Sequence, residues 1–161
     1  MLENILITTD GSKPSEQAAE YGIELAKRLK GKVIALYVAD TSKFTPIEGP
    51  ISPFIDLSPQ AINDAFTSLR CFATQEGEMA TQMIQELARK SGVPCEKKVV
   101  EGYPANEILK VAEDNGIDII VMGSIGKTGL GDFLLGGVAG KVVMKSRVPV
   151  LVVPGKISID L

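Results

Sequence analysis

The chain has 161 residues, 45% of them hydrophobic and 23% charged, with a net charge of −3, no histidine, no tryptophan and two cysteines, which predicts one ordinary globular domain over 1–161. Disordered and fibrous classes are excluded, and the mild acidity lacks the clustered basic footprint of a nucleic-acid reader. Without histidine there is no His-based triad, His metal site or imidazole switch, and Cys71 and Cys95, with no CxxC or zinc spacing, read as two small buried hydrophobes that form no disulfide.

Asn4 to Thr9 (NILITT) is a short apolar run closed by Asp10, Gly11 and Ser12, as expected of a buried strand entering a turn. From Pro14 the positions Ala18, Ala19, Gly22, Leu25, Ala26 and Leu29 recur at helical spacing, with Gly31 as the expected cap. Lys32 to Val38 (KVIALYV) reads as a second strand, covered on both faces. A proline-rich excursion at about 40–58 follows, with prolines at 46, 50, 53 and 59 in or beside it, and its apolar residues predict that it packs on the body.

Gln60 to Ser91 predicts one long helix. Its apolar stripe from Ile62 to Ala88 includes Leu69, Phe72, Met79 and Met83 and is disturbed near Glu76 and Gly77, where a kink is expected. Then come a strand at Cys95 to Val100, a helix at Ala105 to Asn115 closed by Gly116, and a strongly buried strand at Ile117 to Met122. Val138 to Lys145 reads as a helix and Val148 to Val153 as the last strand, placed at a sheet edge by Pro149. Alternating strands and helices give an α/β fold with a parallel sheet, helices on both faces and right-handed crossovers. No run of about 18 apolar residues spans a membrane, and no basic leader precedes the first apolar run, which predicts a cytoplasmic protein.

Between the fourth strand and the last helix lies GSIGKTGLGDFLLGG, residues 123–137, with six glycines in fifteen residues. Glycines this dense are costly to order. One reading is a phosphate cradle, in which bare backbone N–H groups and the following helix N-terminus converge on phosphate oxygens; the other is a flexible connection. A P-loop is rejected because Val121 stands where GxxxxGK[ST] needs glycine, and a GxGxxG dinucleotide fingerprint is rejected because TTDGSKPS after the first strand holds one glycine.

The chain resembles the universal stress proteins. Their signature of a glycine, two residues, a glycine, nine residues and a glycine followed by Ser or Thr is matched by Gly123, Gly126 and Gly136, with Gly137 in place of the hydroxyl residue. ILITTDGS, ALYVAD, EGYPANEIL, DIIVMGS and VPVLVVP extend the likeness over nearly the whole chain. The resemblance implies a three-layer α/β sandwich whose five-stranded parallel sheet has the order 3-2-1-4-5. It further implies an adenine nucleotide, ATP or else ADP or AMP, at the switch point of strands 1 and 4; Mg2+ or Mn2+ is expected only as a bridge between the phosphates and the Asp132 carboxylate. In that carry-over Asp10 and Gly123 hold the ribose, Thr8, Thr9 and the Val38 backbone meet the base, and Gly126, Gly136 and Gly137 meet the phosphates. Met122, Lys127 and Val138 complete the set. Loss of the hydroxyl at 137 weakens the phosphate end, where Ser124, Lys127 or Thr128 offer substitutes and Asp132 works against them.

No general base or metal cage is legible, so the expected role is a regulatory binder with at most slow ATP hydrolysis. The alternative is a nucleotide-free dimeric interaction module of the same family. A third reading, an adenylating enzyme, lacks the SGG-type loop it needs after the first strand. Finally, VPVLVV at a sheet edge predicts a homodimer through Val148 to Val153, the alternative being a monomer whose tail or excursion covers that edge.

Overall fold

Residues 1–44, 58–125 and 135–155 are described by a computed structural model of the chain. Ile5, Leu6 and Ile7 are all fully buried, so the apolar run NILITT forms a strand, β1 (Asn4–Thr9), covered on both faces. It is followed by α1 (Lys13–Leu29), β2 (Lys32–Asp40), a 3-10 turn (Thr41–Phe44), α2 (Pro59–Lys90), β3 (Cys95–Gly102), α3 (Pro104–Asp114), β4 (Ile119–Gly123), α4 (Gly137–Lys145) and β5 (Val150–Val153). The sheet order is β3-β2-β1-β4-β5 with every pairing parallel. The three-layer α/β sandwich is therefore the one expected.

Alternation along the central strands feeds two cores. Ile5, Ile7, Ala35 and Val121 pack with α1 and α2, while Leu6, Leu36, Ile120 and Met122 pack with α3 and α4. Tyr37 and Ala39 make a third, smaller cluster with Ala73 and Ala80 of α2, with Phe44 packed against it. Residues 45–57, most of the expected excursion, lie outside the described residues.

Several boundaries and roles differ from expectation. Lys30, not Gly31, takes the left-handed step after α1, at φ 54°. Gly31 is required for a different reason: a Cβ there would stand 2.5 Å from the Glu3 carbonyl oxygen. The fourth strand begins at Ile119 because the Asp118 carboxylate accepts from the Glu3 and Asn4 N–H groups at 3.0 and 2.8 Å. Those backbone donors hold the Asp118 carboxyl below its ordinary range. The last strand begins at Val150, after Pro149 has given its carbonyl to the Ile120 N–H. Cys71 is exposed on α2 and Cys95 half-buried, both as free thiols, so the buried reading fails for Cys71.

The long helix also reads differently in space. Its buried stripe is Ala73, Gly77, Ala80, Thr81, Ile84 and Ala88, while Leu69, Phe72, Met79 and Met83 are exposed. At about 1.5 Å per residue this helix outruns the strands it covers, and its first half packs little. No break occurs at Gly77, where the ring of Tyr37 lies 2.6 Å and the Val99 side chain 2.9 Å from the place a Cβ would take. Gly77→Val is therefore expected to destabilise the fold by about 3 kcal/mol, lowering Tm by roughly 6–12 °C in thermal unfolding followed by circular dichroism. Gly140→Ala, in α4 with nothing within 4 Å of its Cβ, is the control and should raise Tm slightly.

Candidate functional site

Parallel α/β sheets bind ligands beyond the carboxyl ends of their strands, where neighbouring strands send their connections to opposite faces. Here that point lies between β1 and β4, which pair through Ile5 with Ile119 and Ile7 with Val121. The helix after β1 packs into the first core and the helix after β4 into the second, so the switch point lies at the strand ends Thr9 and Gly123.

The turn after β1 is tightly specified. Gly11 takes φ 78°, its N–H donating to Thr9 Oγ1 at 3.0 Å, and the Ser12 N–H donates to Asp10 Oδ1 at 3.0 Å. Ser12 is the N-cap of α1, accepting from the Ser15 N–H at 3.4 Å, and Pro14 stands in the first turn. The turn role of Asp10 is thus realised in the structure, with the Ser12 N–H fixing one carboxylate oxygen. Tyr37, on β2, donates its hydroxyl to Glu76 Oε2 at 3.2 Å. Burial pushes the Tyr37 phenol up to about 12, and the charges of Glu76 and Asp10 add to the shift.

Across the switch point, Gly123 permits a close approach to α1. A Cβ there would lie 3.3 Å from the carbonyl carbon and oxygen of Pro14 and from the Ile125 carbonyl oxygen. Ser124 is the hub of this wall: its N–H donates to the Val153 carbonyl at 2.9 Å, its carbonyl accepts from the Gly136 N–H at 2.7 Å, and its Oγ accepts from the Gly155 N–H at 3.4 Å. The Gly136 contact ties the start of α4 to the end of β4. Gly136 is the N-cap residue of α4 and supplies no side-chain cap, and a Cβ on Gly137 would meet nothing within 4 Å. Two helix N-termini, each worth roughly +0.5 charge, therefore adjoin the Gly123–Ser124 corner, an arrangement that favours an anion.

The structure brings together most of the site residues expected from the sequence. Thr8, Val38 and Met122 lie on three adjacent strands and share the face toward α3 and α4. Thr9 and Asp10 turn toward α1, while Gly123, Gly136, Gly137 and Val138 line the opposing wall. Gly126 and Lys127 lie outside the described residues, as do Thr128 and Asp132. Sequence reasoning missed the hydroxyl network of Thr9, Ser12 and Ser15 and the hub role of Ser124; only the Ser12 cap, two residues before Pro14, had a readable signal.

A cleft of about 350 Å³ at the other end of the sheet, lined by Asn4, Lys32, Pro94, Cys95, Glu96 and Asn115 among others, is a poorer anion site. Helix carboxyl ends point there, at Leu29, Lys90 and Asp114, and their dipoles repel phosphate. Among the described residues no three metal-ligating side chains gather, and no helix is long and apolar enough to cross a membrane.

The family model of the universal stress protein family matches residues 1–154. The universal stress protein MJ0531 of Methanocaldococcus jannaschii is 38% identical over 153 residues, covering 95% of this chain and 82% of its own. The solved structure of MJ0577, from the same organism, superposes with a TM-score of 0.77 at 33% identity, covering 98% of this chain and 99% of that one. Two more distant structures share the fold. One is a universal stress protein in complex with cAMP (TM-score 0.64, 21% identity, 96% and 98% covered), the other an Arabidopsis thaliana family member with AMP bound (TM-score 0.61, 18% identity, 96% and 92% covered). The chain belongs to the universal stress protein family.

Proposed function

We propose that the protein is a regulatory binder of an adenine nucleotide, ATP or a shorter relative, held in the crevice between β1 and β4. The observation that carries this reading is the corner at Gly123, where the start of α1, just after the turn that holds the Asp10 carboxylate, and the start of α4, which has no side-chain cap, both adjoin the end of β4. Relatives with cAMP and AMP bound support the adenine nucleotide as the ligand class. Asp10 accepts from ribose hydroxyls, the Val38 backbone meets the base, Thr8, Thr9 and Met122 line its pocket, and Gly126, Lys127, Gly136, Gly137 and Val138 serve the phosphates. A divalent cation would be held chiefly by the phosphates, since the described residues gather no trio of ligands for it. Mass spectrometry of small molecules released by heat from the purified protein tests the reading. An adenine nucleotide near stoichiometry supports it, and a ligand of another class overturns it.

The reading includes a homodimer through the β5 edge. β5 pairs with β4 on one side only, so its outer backbone groups and the exposed Leu151 call for a partner. A two-fold axis beside β5 would continue the sheet and close the pair. Val150 and Val152 are half-buried toward the second core, so Leu151 is the cleaner probe. Leu151→Lys is expected to lower the light-scattering mass from twice the chain mass to the chain mass. A wild-type protein that is already monomeric at tens of micromolar would contradict the dimer.

A further inference from the structure

Resting on the nucleotide reading above, we propose that Ser15 is a positioning residue for that site: it touches no ligand, and its hydroxyl fixes the turn that aims the Asp10 carboxylate at the ribose. Thr9 Oγ1 accepts the Gly11 N–H at 3.0 Å and lies 3.0 Å from Ser15 Oγ, a contact that either hydroxyl could donate. Ser15 has a single hydroxyl proton, and the Ser12 carbonyl takes it at 2.8 Å. Ser15 Oγ must then accept from both Thr9 and Ser12, the second at 3.3 Å.

Each of these three hydroxyls donates once, and none of the three protons remains for a ligand. Ser15 is the node, only 5% exposed, and no buried polar side-chain atom among the described residues lacks a partner. The hold passes outward through Ser12, whose N–H grips Asp10 Oδ1 while its carbonyl is gripped by Ser15. Gly11, at φ 78°, has no side chain with which to stiffen the step between them. Truncating Ser15 leaves the Thr9 and Ser12 hydroxyl protons without their acceptor and loosens the turn, in which Ser12 then keeps only the Glu16 N–H on its carbonyl and the Ser15 N–H on its hydroxyl, a cost felt by Asp10 although Ser15 itself lies beneath it.

The consequence is selective, because only ribose hydroxyls are read by Asp10. Calorimetric titration of the full chain with ATP and with 2′,3′-dideoxy-ATP exposes that selectivity. Ser15→Ala is expected to weaken ATP about tenfold and the dideoxy nucleotide less than twofold, to show the same preference as Asp10→Ala, and to add little when combined with it. Ser15→Cys, which keeps the volume while weakening both the donor and the acceptor at this position, should reproduce the pattern should Ser15→Ala fold poorly. Equal losses on both nucleotides, or full additivity with Asp10→Ala, overturn the positioning role and make Ser15 a packing residue. Failure of the parent reading looks different: the wild-type protein then binds neither nucleotide.

Discussion

Gly123→Val is expected to remove nucleotide binding while leaving a folded protein. The added Cβ meets backbone, the Pro14 carbonyl and the Ile125 oxygen at 3.3 Å, which cannot swing aside as a side-chain tip can. The branched carbons beyond it force the end of β4 away from α1, and the two walls of the crevice separate. Losing one or two hydrogen bonds to a charged ligand costs about 1.5–3 kcal/mol each, which is tenfold to more than a thousandfold in Kd. Calorimetry at low temperature checks this against Gly77→Val, whose overpacking lies under α2. The Gly77 variant should lose Tm and keep affinity; the Gly123 variant should lose affinity far beyond its change in Tm. Equal affinity in wild type and Gly123→Val would place the nucleotide elsewhere.

Gly137→Ser should act in the opposite direction, tightening ATP by about tenfold or more and AMP by less than twofold. The position is the first residue of α4, its Cβ has open space, and serine restores the hydroxyl that the family signature carries there. A hydrogen bond from that hydroxyl to a terminal phosphate oxygen is worth about 1.5–3 kcal/mol, and AMP has no such phosphate to receive it. Parallel calorimetric titrations decide the matter: equal gains for the two nucleotides, or none, would remove the hydroxyl argument. Folding stability should rise only by a few tenths of a kcal/mol through helix propensity.

The sheet was legible because its signals are local and redundant: NILITT, KVIALYV and IDIIVM are buried on both faces and announce themselves by composition alone. Pro149 correctly marked the edge. Boundaries slipped where a distant partner decides them, as at Ile117, where Asp118 reaches across to the Glu3 and Asn4 N–H groups and delays the strand. The stripe on α2 was misjudged for a related reason. Periodicity shows which residues share a helix face but not how far the sheet beneath extends, so the small residues Gly77, Ala80 and Thr81 are buried while Phe72 and Met79 are exposed.

The site was half legible. The spaced glycines and Asp10 could be read as a pattern, and the structure gives Gly123 and Asp10 distinct physical tasks: close approach to Pro14, and a carboxylate held by the Ser12 N–H. What joins them could not be read, because hydroxyl protons and backbone hubs such as Ser124 leave no periodic trace. The same limit applies to Gly31, whose need arises from the carbonyl of Glu3, far away in the chain.

An ATP titration of the 15N-labelled protein followed by amide NMR tests the central claim most directly, because it reports where the ligand sits as well as whether it binds. The account predicts saturable shifts concentrated at Asp10, Gly11, Gly123, Gly136 and Gly137, at the carboxyl ends of β1 and β4. Shifts confined to the opposite cleft, at Lys32, Cys95 and Asn115, or no shifts at millimolar ATP, would contradict it.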